Sequence, residues 1–408
     1  MTPPGRHVSD PPASRRPEDD GAPRRPKHPR DPSSETLDGG TVLGLPGVSD
    51  SNPEGGRARF ESAEIRRVLD SYPLGEVTGI QEFPAGSRQA PKVRVSSTEG
   101  EYLLKRRVAR PELVERAIFN HGFQLHLEGC GVPVARLVGT RRENRSMLLE
   151  DDRVYELFEW IDGRRLVKVA PEVRNAGRIL GRLHAAGASF DPPKTSDLAG
   201  FHAAKSVTLA FERLEGSILA ADGSLDAEAV SGRVADLRGR LDLARDQVEA
   251  AGWATLPRQA IHGDWHPGNL LFTPSSPSIR QPGVVRAIVD FDASRVEPRI
   301  VDLANGLLHF AMRSQRDRSP AEWPPSLSPD RIRAMIEGWR EAGGATLRLE
   351  SEVLPPLMIE ALIAETIVPI ARNGTFAGVP GFAFLGMVLE KVRWIERHGS
   401  EIGALLRD

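Results

Sequence analysis

Residues 261–272 read IHGDWHPGNLLF, a polar, turn-rich loop between apolar segments, in which Asp264 and Asn269 lie five residues apart. After a polar turn rich in Pro and Ser comes AIVDFD, where Asp290 and Asp292 stand at the end of an apolar strand. Phosphoryl transfer from a nucleotide needs a carboxylate at the acceptor hydroxyl and oxygen ligands for Mg²⁺. These four side chains are groups of that kind, so the two stretches together predict a phosphoryl-transfer site.

The same stretches resemble a known protein family. The loop at residues 262–269 is similar to the catalytic loop of the aminoglycoside phosphotransferase and choline kinase superfamily, which has the protein-kinase fold. Asp290 falls where that family has its metal-binding aspartate. Asp302, in PRIVDLA, resembles the aspartate that braces the catalytic loop from below. The resemblance covers roughly residues 75–310, and it is the combined spacing of these motifs that makes it specific.

The resemblance implies an α+β, bilobal, protein-kinase-like fold with a small β-rich N-lobe and a larger helical C-lobe. It also implies that Asp264 is the catalytic carboxylate, and that the γ-phosphoryl group of ATP passes to a hydroxyl of a small molecule. Asn269, Asp290 and Asp292 are expected to hold Mg²⁺. ATP and Mg²⁺ are therefore the expected cofactors, and a hydroxyl-bearing small molecule is the expected partner.

The resemblance also places a nucleotide site in the first part of the chain. Lys105, in YLLK, is expected to contact the α- and β-phosphates, and strand alternation puts it on the same face as Leu103. Gly86 and Ser87 belong to PAGSR, which takes the place of a phosphate-covering hairpin although it lacks a G-x-G-x-x-G pattern. In the segment FEWI, at residues 158–161, the backbone groups of Glu159 and Ile161 are expected to meet the adenine edge.

One position departs from the family pattern. The family places a glutamate midway along the small-lobe helix, where it pairs with the strand lysine. Here Asn120 or His121 falls near that position, and the nearest acidic residues are Glu112, Glu115 and Glu128. Either Glu115 serves after a register shift, or the lysine has a neutral partner. In this the chain is similar to a branch near the spore-coat-associated kinase-like proteins.

Patterning along the chain predicts three segments. Residues 1–58 form a Pro- and Arg-rich tail that is too poor in large apolar side chains to fold, and is therefore expected to be disordered. Residues 59–158 form the nucleotide-binding N-lobe, with short strands and one helix. Residues 159–408 form the helical C-lobe, with the catalytic loop and the acceptor site. The predicted strands are 76–83, 92–96, 102–107, 136–139 and 154–160. The first helix is predicted to have Ser62 as its N-cap, and a later helix is predicted over Leu354–Arg372.

Composition excludes several classes of partner. The 54 basic and 56 acidic residues nearly cancel, which favours neither nucleic acid nor an anionic membrane as a partner. Cys130 is the only cysteine, so an intramolecular disulfide is impossible and a cytoplasmic location is expected. The N-terminus has no apolar core of a secretory signal, and no transmembrane helix is predicted.

Two other functions stay open on the sequence. A catalytically silent, kinase-like nucleotide-binding or coat protein is favoured by the missing helix glutamate, whereas the set of Asp264, Asn269 and Asp290 argues against it. A metal-dependent hydrolase is suggested by the string His262-x-Asp264-x-His266. That alternative would need further ligands, and the other histidines are scattered singly.

The acceptor itself is not identified by these patterns. Sugars, aminoglycosides, choline, homoserine and hydroxyamino compounds all serve in the superfamily, and a fold does not choose among them. The C-terminal half has no dense acidic cluster, which weighs against a polycationic aminoglycoside. Glu360 and Glu365 are candidates for the acceptor pocket, although a solvated or core-edge position suits them equally.

Overall fold

The computed structural model describes residues 58–83, 90–192, 200–274, 281–314, 318–343 and 346–407, all within one structural unit, Leu37–Asp408. The predicted tail, apart from residue 58, lies outside the described residues. So does the predicted hairpin tip with Gly86 and Ser87.

Two helices and a five-stranded sheet form the first part. All strand pairs are antiparallel, in the order β1-β2-β3-β5-β4. In chain order the elements are α1 (Ser62–Leu69), β1 (Val77–Phe83), β2 (Lys92–Ser97), β3 (Gly100–Val108), α2 (Pro111–Gly129), β4 (Leu148–Glu150) and β5 (Arg153–Glu159).

The sheet has one apolar and one polar face because side chains alternate along each strand. Val93 and Val95 of β2 and Leu104 of β3 pack with α1 in a small core. The residues that alternate with them face the other way, toward a cleft, and include Lys92 and Lys105. The expected orientation of Lys105 is thus found.

Two local predictions for this part are wrong. Residues 136–139 form no strand; Leu137 makes only an isolated bridge to Phe158, and the edge strand is β4 instead. The N-cap of α1 is Glu61 rather than the predicted Ser62, because the Glu64 side chain accepts the backbone N–H of Glu61.

The second part is mainly helical. Its short strands pair antiparallel as β6–β9, β7–β8 and β10–β11. In chain order the elements are α3 (Ala170–Gly187), α4 (Lys205–Ala221), α5 (Ala227–Ala250), β6 (Arg258–Ile261), β7 (Leu270–Phe272), β8 (Val285–Ile288), β9 (Arg295–Pro298), α6 (Ile300–Ala311), α7 (Pro329–Gly343), α8 (Arg348–Asn373), β10 (Thr375–Phe376), β11 (Val379–Pro380) and α9 (Gly381–Arg407).

Helices α3 and α7 approach each other very closely. A Cβ added at Gly177 or Gly181 of α3 would overlap a carbonyl oxygen of α7, and one added at Gly338 of α7 would overlap the Arg174 carbonyl. Glycine at these positions therefore lets the two backbones touch. This helix pair lies beneath the strands that carry the catalytic loop, since α3 also packs on β6 and β8.

Helix α8 is long and apolar enough, by length and composition, to cross a membrane. However, 78% of its most apolar window is buried inside the protein, which is the pattern of a core helix. It begins at Arg348, earlier than the start predicted at Leu354, and continues through Pro355 and Pro356. Proline signals a helix start only where its missing N–H is not needed, and here the helix continues across it.

Candidate active site

A cleft lies between the polar face of the sheet and the catalytic segment of the helical part. It encloses about 1140 Å³, including the space that is open to solvent. Its apolar walls come from both parts, which suits a flat, apolar ring system. These wall residues include Leu103, Ala135, Phe158, Ile161, Leu271 and Val289.

The predicted catalytic loop, residues 262–269, connects β6 to β7 and is held from below by α6. Asp302, in the first turn of α6, accepts the backbone N–H groups of His262 at 2.8 Å and Gly263 at 2.7 Å. Gly263 has φ +80°, and a Cβ there would overlap the Ala293 carbonyl, so glycine is required. Asp302 thus occupies the bracing position that the resemblance implies, and it orients the residue that follows Gly263.

Asp264 is presented by this loop with its side chain 49% exposed. Asn269 Nδ2 donates to the carbonyl of Asp264 at 3.0 Å and to its Oδ2 at 3.1 Å. His266 Nδ1 accepts the N–H of Gly268, so the proton on this ring lies on Nε2, which is 3.3 Å from Asp264 Oδ2. These contacts aim the carboxylate and leave one oxygen for a ligand.

The pKa of Asp264 is held well below its usual range. Burial by itself would raise this pKa, but the interaction with His266, whose Nε2 lies 3.3 Å from Asp264 Oδ2, outweighs that effect, with His262 and His309 nearby. Asp264 is therefore ionised at neutral pH. It can orient a hydroxyl and accept its proton late in a reaction, but it is a weak base at the start.

Asn269 and Asp290 meet at the floor of the cleft. The backbone N–H of Val289 donates to the carbonyl of Asn269 at 3.0 Å, which fixes the two segments side by side. Asp290 has φ +62°, an uncommon conformation for a residue with a side chain, and it lines the cleft. Strain of this kind is retained where the backbone must aim a functional group.

Lys105 finds its carboxylate partner in the catalytic segment. Its Nζ donates to Asp292 Oδ2 at 2.8 Å and lies 3.7 Å from Asp290 Oδ1. Neither sequence-based alternative for its partner, Glu115 or a neutral group, describes this contact. Asn120, near the position of the family's glutamate, is buried, and neither polar atom of its side chain has a hydrogen-bond partner in the described part of the chain.

Asp292 is engaged on both oxygens. Arg107 donates to its Oδ1 while Lys105 donates to Oδ2. The same Arg107 binds Glu156 through Nε at 2.6 Å, and Glu156 also contacts His121 Nε2 at 2.7 Å. Glu156 lies directly opposite Lys105 in the sheet. An acidic group beside the lysine is thus present, but it comes from β5 rather than from α2.

Glu159, the last residue of β5, and Ile161, two positions further on, both line the cleft. The N–H of Glu159, however, donates to the carbonyl of Arg136 at 2.9 Å, so this N–H is already used within the protein. The N–H of Trp160 is used as well, since it donates to the carbonyl of Glu101 at 2.8 Å, which leaves the backbone of Ile161 among the groups that can face a ligand.

Several cleft residues were missed by the sequence analysis, among them Lys92, Arg107 and Glu156. Alternation from Lys105 would have indicated Arg107, two residues further along β3 on the same face. Finding Lys92 and Glu156 required the pairing register of three strands, which places both of them opposite Lys105.

The histidines of the H-x-D-x-H string do not converge on one point. His262 is buried, accepts the N–H of Asp264 on Nδ1 and faces the carbonyl of Val289 with Nε2 at 3.2 Å. Both of its ring nitrogens are therefore used within the loop, whereas His266 points at Asp264. A zinc site built on this string would have to break these contacts.

The two acceptor candidates of α8 have different surroundings. Glu360 is fully buried and binds His202 Nδ1 at 2.6 Å and Arg245 Nε at 2.8 Å, so it braces the helical core. Glu365 is 3.1 Å from His309 Nε2, and the His309 ring lies 5.5 Å from that of His266. Glu365, His309 and His266 thus form a polar chain of neighbouring side chains near Asp264, in which ring contact rather than a hydrogen bond joins the two histidines.

A two-lobed fold with an ionised loop carboxylate, an adjoining amide–carboxylate pair and a strand lysine defines a class, the kinase-like phosphotransferases. Comparison with known proteins agrees, because the model of the phosphotransferase enzyme family, APH, matches residues 79–344. The chain belongs to this family. It is accordingly a small-molecule phosphotransferase with an alcohol group as acceptor, which confirms the predicted family, fold and enzyme class.

Solved structures show the same fold at low sequence identity. A microcompartment-associated aminopropanol kinase is 17% identical with a TM-score of 0.57, and the match covers 84% of this chain and 99% of that one. An aminoglycoside phosphotransferase from Alicyclobacillus acidocaldarius has 16% identity, a TM-score of 0.57 and coverages of 86% and 97%. A choline kinase from Cryptosporidium parvum is 13% identical with a TM-score of 0.53, and the match covers 85% of this chain and 100% of that one. No curated protein matches the chain.

Proposed function

We propose that the protein transfers the γ-phosphoryl group of ATP, in the presence of Mg²⁺, to a hydroxyl of a small molecule. The observation that carries this proposal is the arrangement around Asp264. An ionised, half-exposed carboxylate stands beside Asn269 and Asp290, and Lys105 faces them from the opposite wall of the cleft. In the reaction the acceptor oxygen bonds to Pγ, the bond from Pγ to the ADP oxygen breaks, and the hydroxyl proton passes to Asp264.

The residues fit a magnesium ion. Because Asn269 Nδ2 donates to Asp264, the amide oxygen of Asn269 is the atom left for a ligand. The Asp290 carboxylate is 38% exposed and supplies a second hard oxygen ligand. Asp292 could join them through a second lone pair of an oxygen that already accepts from Lys105 or Arg107. When bound, Mg²⁺ would neutralise charge on the β- and γ-phosphates.

The nucleotide is proposed to lie along the polar face of the sheet. Its base would lie between the apolar walls, with backbone groups of Glu159 and Ile161 at the edge of the ring. Lys105 would contact the α- and β-phosphates, and Gly86 and Ser87 would cover them. Held in place by Asp292, Lys105 is already aimed at the catalytic loop.

The acceptor is proposed to bind beside Asp264, near the polar chain of His266, His309 and Glu365. Related structures carry the names of kinases for aminopropanol, choline and aminoglycosides, so hydroxyl-bearing amines are sensible first compounds. We further propose that residues 59–158 and 159–408 work as the two lobes. The location is proposed to be cytoplasmic, without nucleic-acid or membrane partners.

A catalytically silent protein is less well supported. Although α2 lacks the family's glutamate, Lys105 still pairs with a carboxylate, that of Asp292. ADP release with a panel of small alcohols, amino alcohols and sugars tests for turnover. With an accepted substrate, Asp264→Asn should lower kcat by about two to four decades, the usual range for a positioned base, while ATP affinity and melting temperature stay close to wild type.

The matched control is Asp246→Asn, which removes a carboxylate from an exposed position of α5. It should leave kcat unchanged. Asp290→Asn should abolish the magnesium-dependent turnover. Normal kcat in Asp264→Asn, or a loss fully explained by unfolding, would remove Asp264 from the mechanism.

A further inference from the structure

We propose that Lys92 is a second phosphate-binding lysine, which makes the cleft selective for a nucleoside triphosphate over the diphosphate. The inference rests on the proposed function, since it assumes that a nucleotide occupies the cleft. Lys92 belongs to neither the catalytic loop nor the expected nucleotide motifs. It stands at the first position of β2.

The strand register places Lys92 next to the expected phosphate position. It lies directly opposite Phe83 of β1 on one side and directly opposite Lys105 of β3 on the other. Because Val93 points into the small core, Lys92 points to the opposite face, and it lines the cleft. Two ammonium groups therefore stand side by side on one wall.

Such a pair is unfavourable without a counter-charge between its members. Like charges directly opposite each other destabilise neighbouring strands, and burial adds to the cost. In agreement, burial lowers the pKa of Lys92; Asp290 and Asp292 oppose this shift, while the nearby charges of Lys105 and Arg107 add to it. A polyanion bound along this wall would remove the cost.

Two acids of the cleft, Asp292 and Glu156, are already committed to other cations, whereas Asp290 remains a nearby carboxylate that attracts Lys92. Asp292 is bound by Lys105 and Arg107, and Glu156 by Arg107 and His121. Lys92, by contrast, makes no hydrogen bond or ion pair within the part of the chain that the structure describes. An unengaged ammonium group beside Lys105 is suited to phosphate oxygens.

The simpler explanation, a solvated lysine at the start of a strand, makes a different prediction. A solvated lysine would not distinguish one nucleotide from another. If Lys92 binds phosphate, its attraction for a nucleotide must grow with the negative charge of that nucleotide. The triphosphate carries about one negative charge more than the diphosphate. The effect of removing Lys92 should therefore grow from adenosine through ADP to ATP.

Calorimetric titration of the whole protein with adenosine, ADP and ATP, each with Mg²⁺, tests the proposal. Lys92→Met should weaken ATP binding about tenfold and ADP binding about threefold and leave adenosine unchanged, as expected for one charged contact. Lys92→Arg keeps the charge and should restore ATP binding to within about threefold of wild type. Lys205→Met, at the exposed start of α4, is the control and should change nothing.

The outcomes separate this inference from the proposed function. Failure of the wild type to bind ATP overturns both. Normal ATP binding by the wild type and by Lys92→Met alike overturns only the role of Lys92. Equal losses for adenosine and ATP, or a lower melting temperature that accounts for the loss, would show a structural role and also overturn it.

Discussion

The brace beneath the catalytic loop allows a quantitative prediction. Asp302 is fully buried and accepts three hydrogen bonds, from the N–H groups of His262 and Gly263 and from His184 Nε2. Asp302→Asn keeps the shape of the side chain but replaces one acceptor oxygen with a donor. The backbone N–H of His262 or of Gly263 then faces the side-chain N–H of the new asparagine in a buried site.

The expected cost follows from these contacts. A hydrogen bond to a charged group contributes about 1.5–3 kcal/mol, and an orphaned buried donor costs a similar amount. Losing one of the two short bonds should therefore lower the free energy of unfolding by about 3 kcal/mol. With an unfolding entropy of about 2.1 cal/mol/K per residue over roughly 330 folded residues, each kcal/mol shifts the melting temperature by about 1.4 °C, so it should fall by roughly 4 °C.

The loop should also lose alignment. A displacement of about 1 Å at a reacting group can cost about a hundredfold in rate, so kcat should fall about 10- to 100-fold. Affinity for ATP should change little, since Asp302 does not line the cleft. Asp330→Asn, at an exposed position in the first turn of α7, is the control and should shift stability by no more than about 0.5 kcal/mol.

The pH dependence gives an independent check. Burial by itself would raise the pKa of Asp302, but the hydrogen bonds from His184 Nε2 and from the Gly263 N–H outweigh it and lower that pKa. A carboxyl with a lowered folded-state pKa stabilises above its unfolded pKa of about 3.9, and this contribution disappears as pH falls through the folded value. The gap between wild type and Asp302→Asn should be constant near pH 7 and shrink in acid.

Urea unfolding at neutral and acidic pH, with kcat measured on the same preparations, decides the matter. Equal stability of the two proteins at neutral pH would refute the bracing argument. A gap that widens in acid would refute the assigned charge state. Lost stability with an unchanged kcat would separate the brace from catalysis.

Two further predictions concern packing and burial. Gly338→Ala should lower the free energy of unfolding by about 3 kcal/mol or more, because the added Cβ would overlap the carbonyl of Arg174. Gly232→Ala, where the added Cβ meets open space, should raise the free energy of unfolding by about 0.5–1 kcal/mol. Urea unfolding of both variants measures these changes, and equal effects of the two substitutions would contradict the argument. Lys391 is fully buried, donates a hydrogen bond to the carbonyl of Pro324, and has its pKa lowered to about 8 by burial. Lys391→Met removes the cost of burying this charge but also loses the hydrogen bond, so it should raise the free energy of unfolding at pH 7 by about 2 kcal/mol. That gain should shrink as pH rises from 8 toward the unfolded pKa, because the wild type no longer buries a charge there; a gain independent of pH would contradict this reasoning.

The sequence by itself determined the features that depend on local spacing. The loop from His262 to Asn269 and the acidic pair after β8 are contiguous motifs, so the family could be predicted from their order alone, while the chemistry assigned to them stays a prediction. Strand alternation predicted that the Lys105 side chain points into the cleft, and apolar periodicity predicted the long helices. In each case the deciding interactions lie within a few residues.

The tertiary structure decided which distant groups meet. Lys105 binds Asp292 across 187 positions of the chain, and Lys92 and Glu156 flank it only because three strands pair in one particular register. The structure likewise directed Glu360 into the helical core, where it binds His202. Local propensity does not encode such contacts, because they arise only when whole elements pack together. The charge balance of the cleft, and with it the role proposed for Lys92, therefore became visible only in the folded chain.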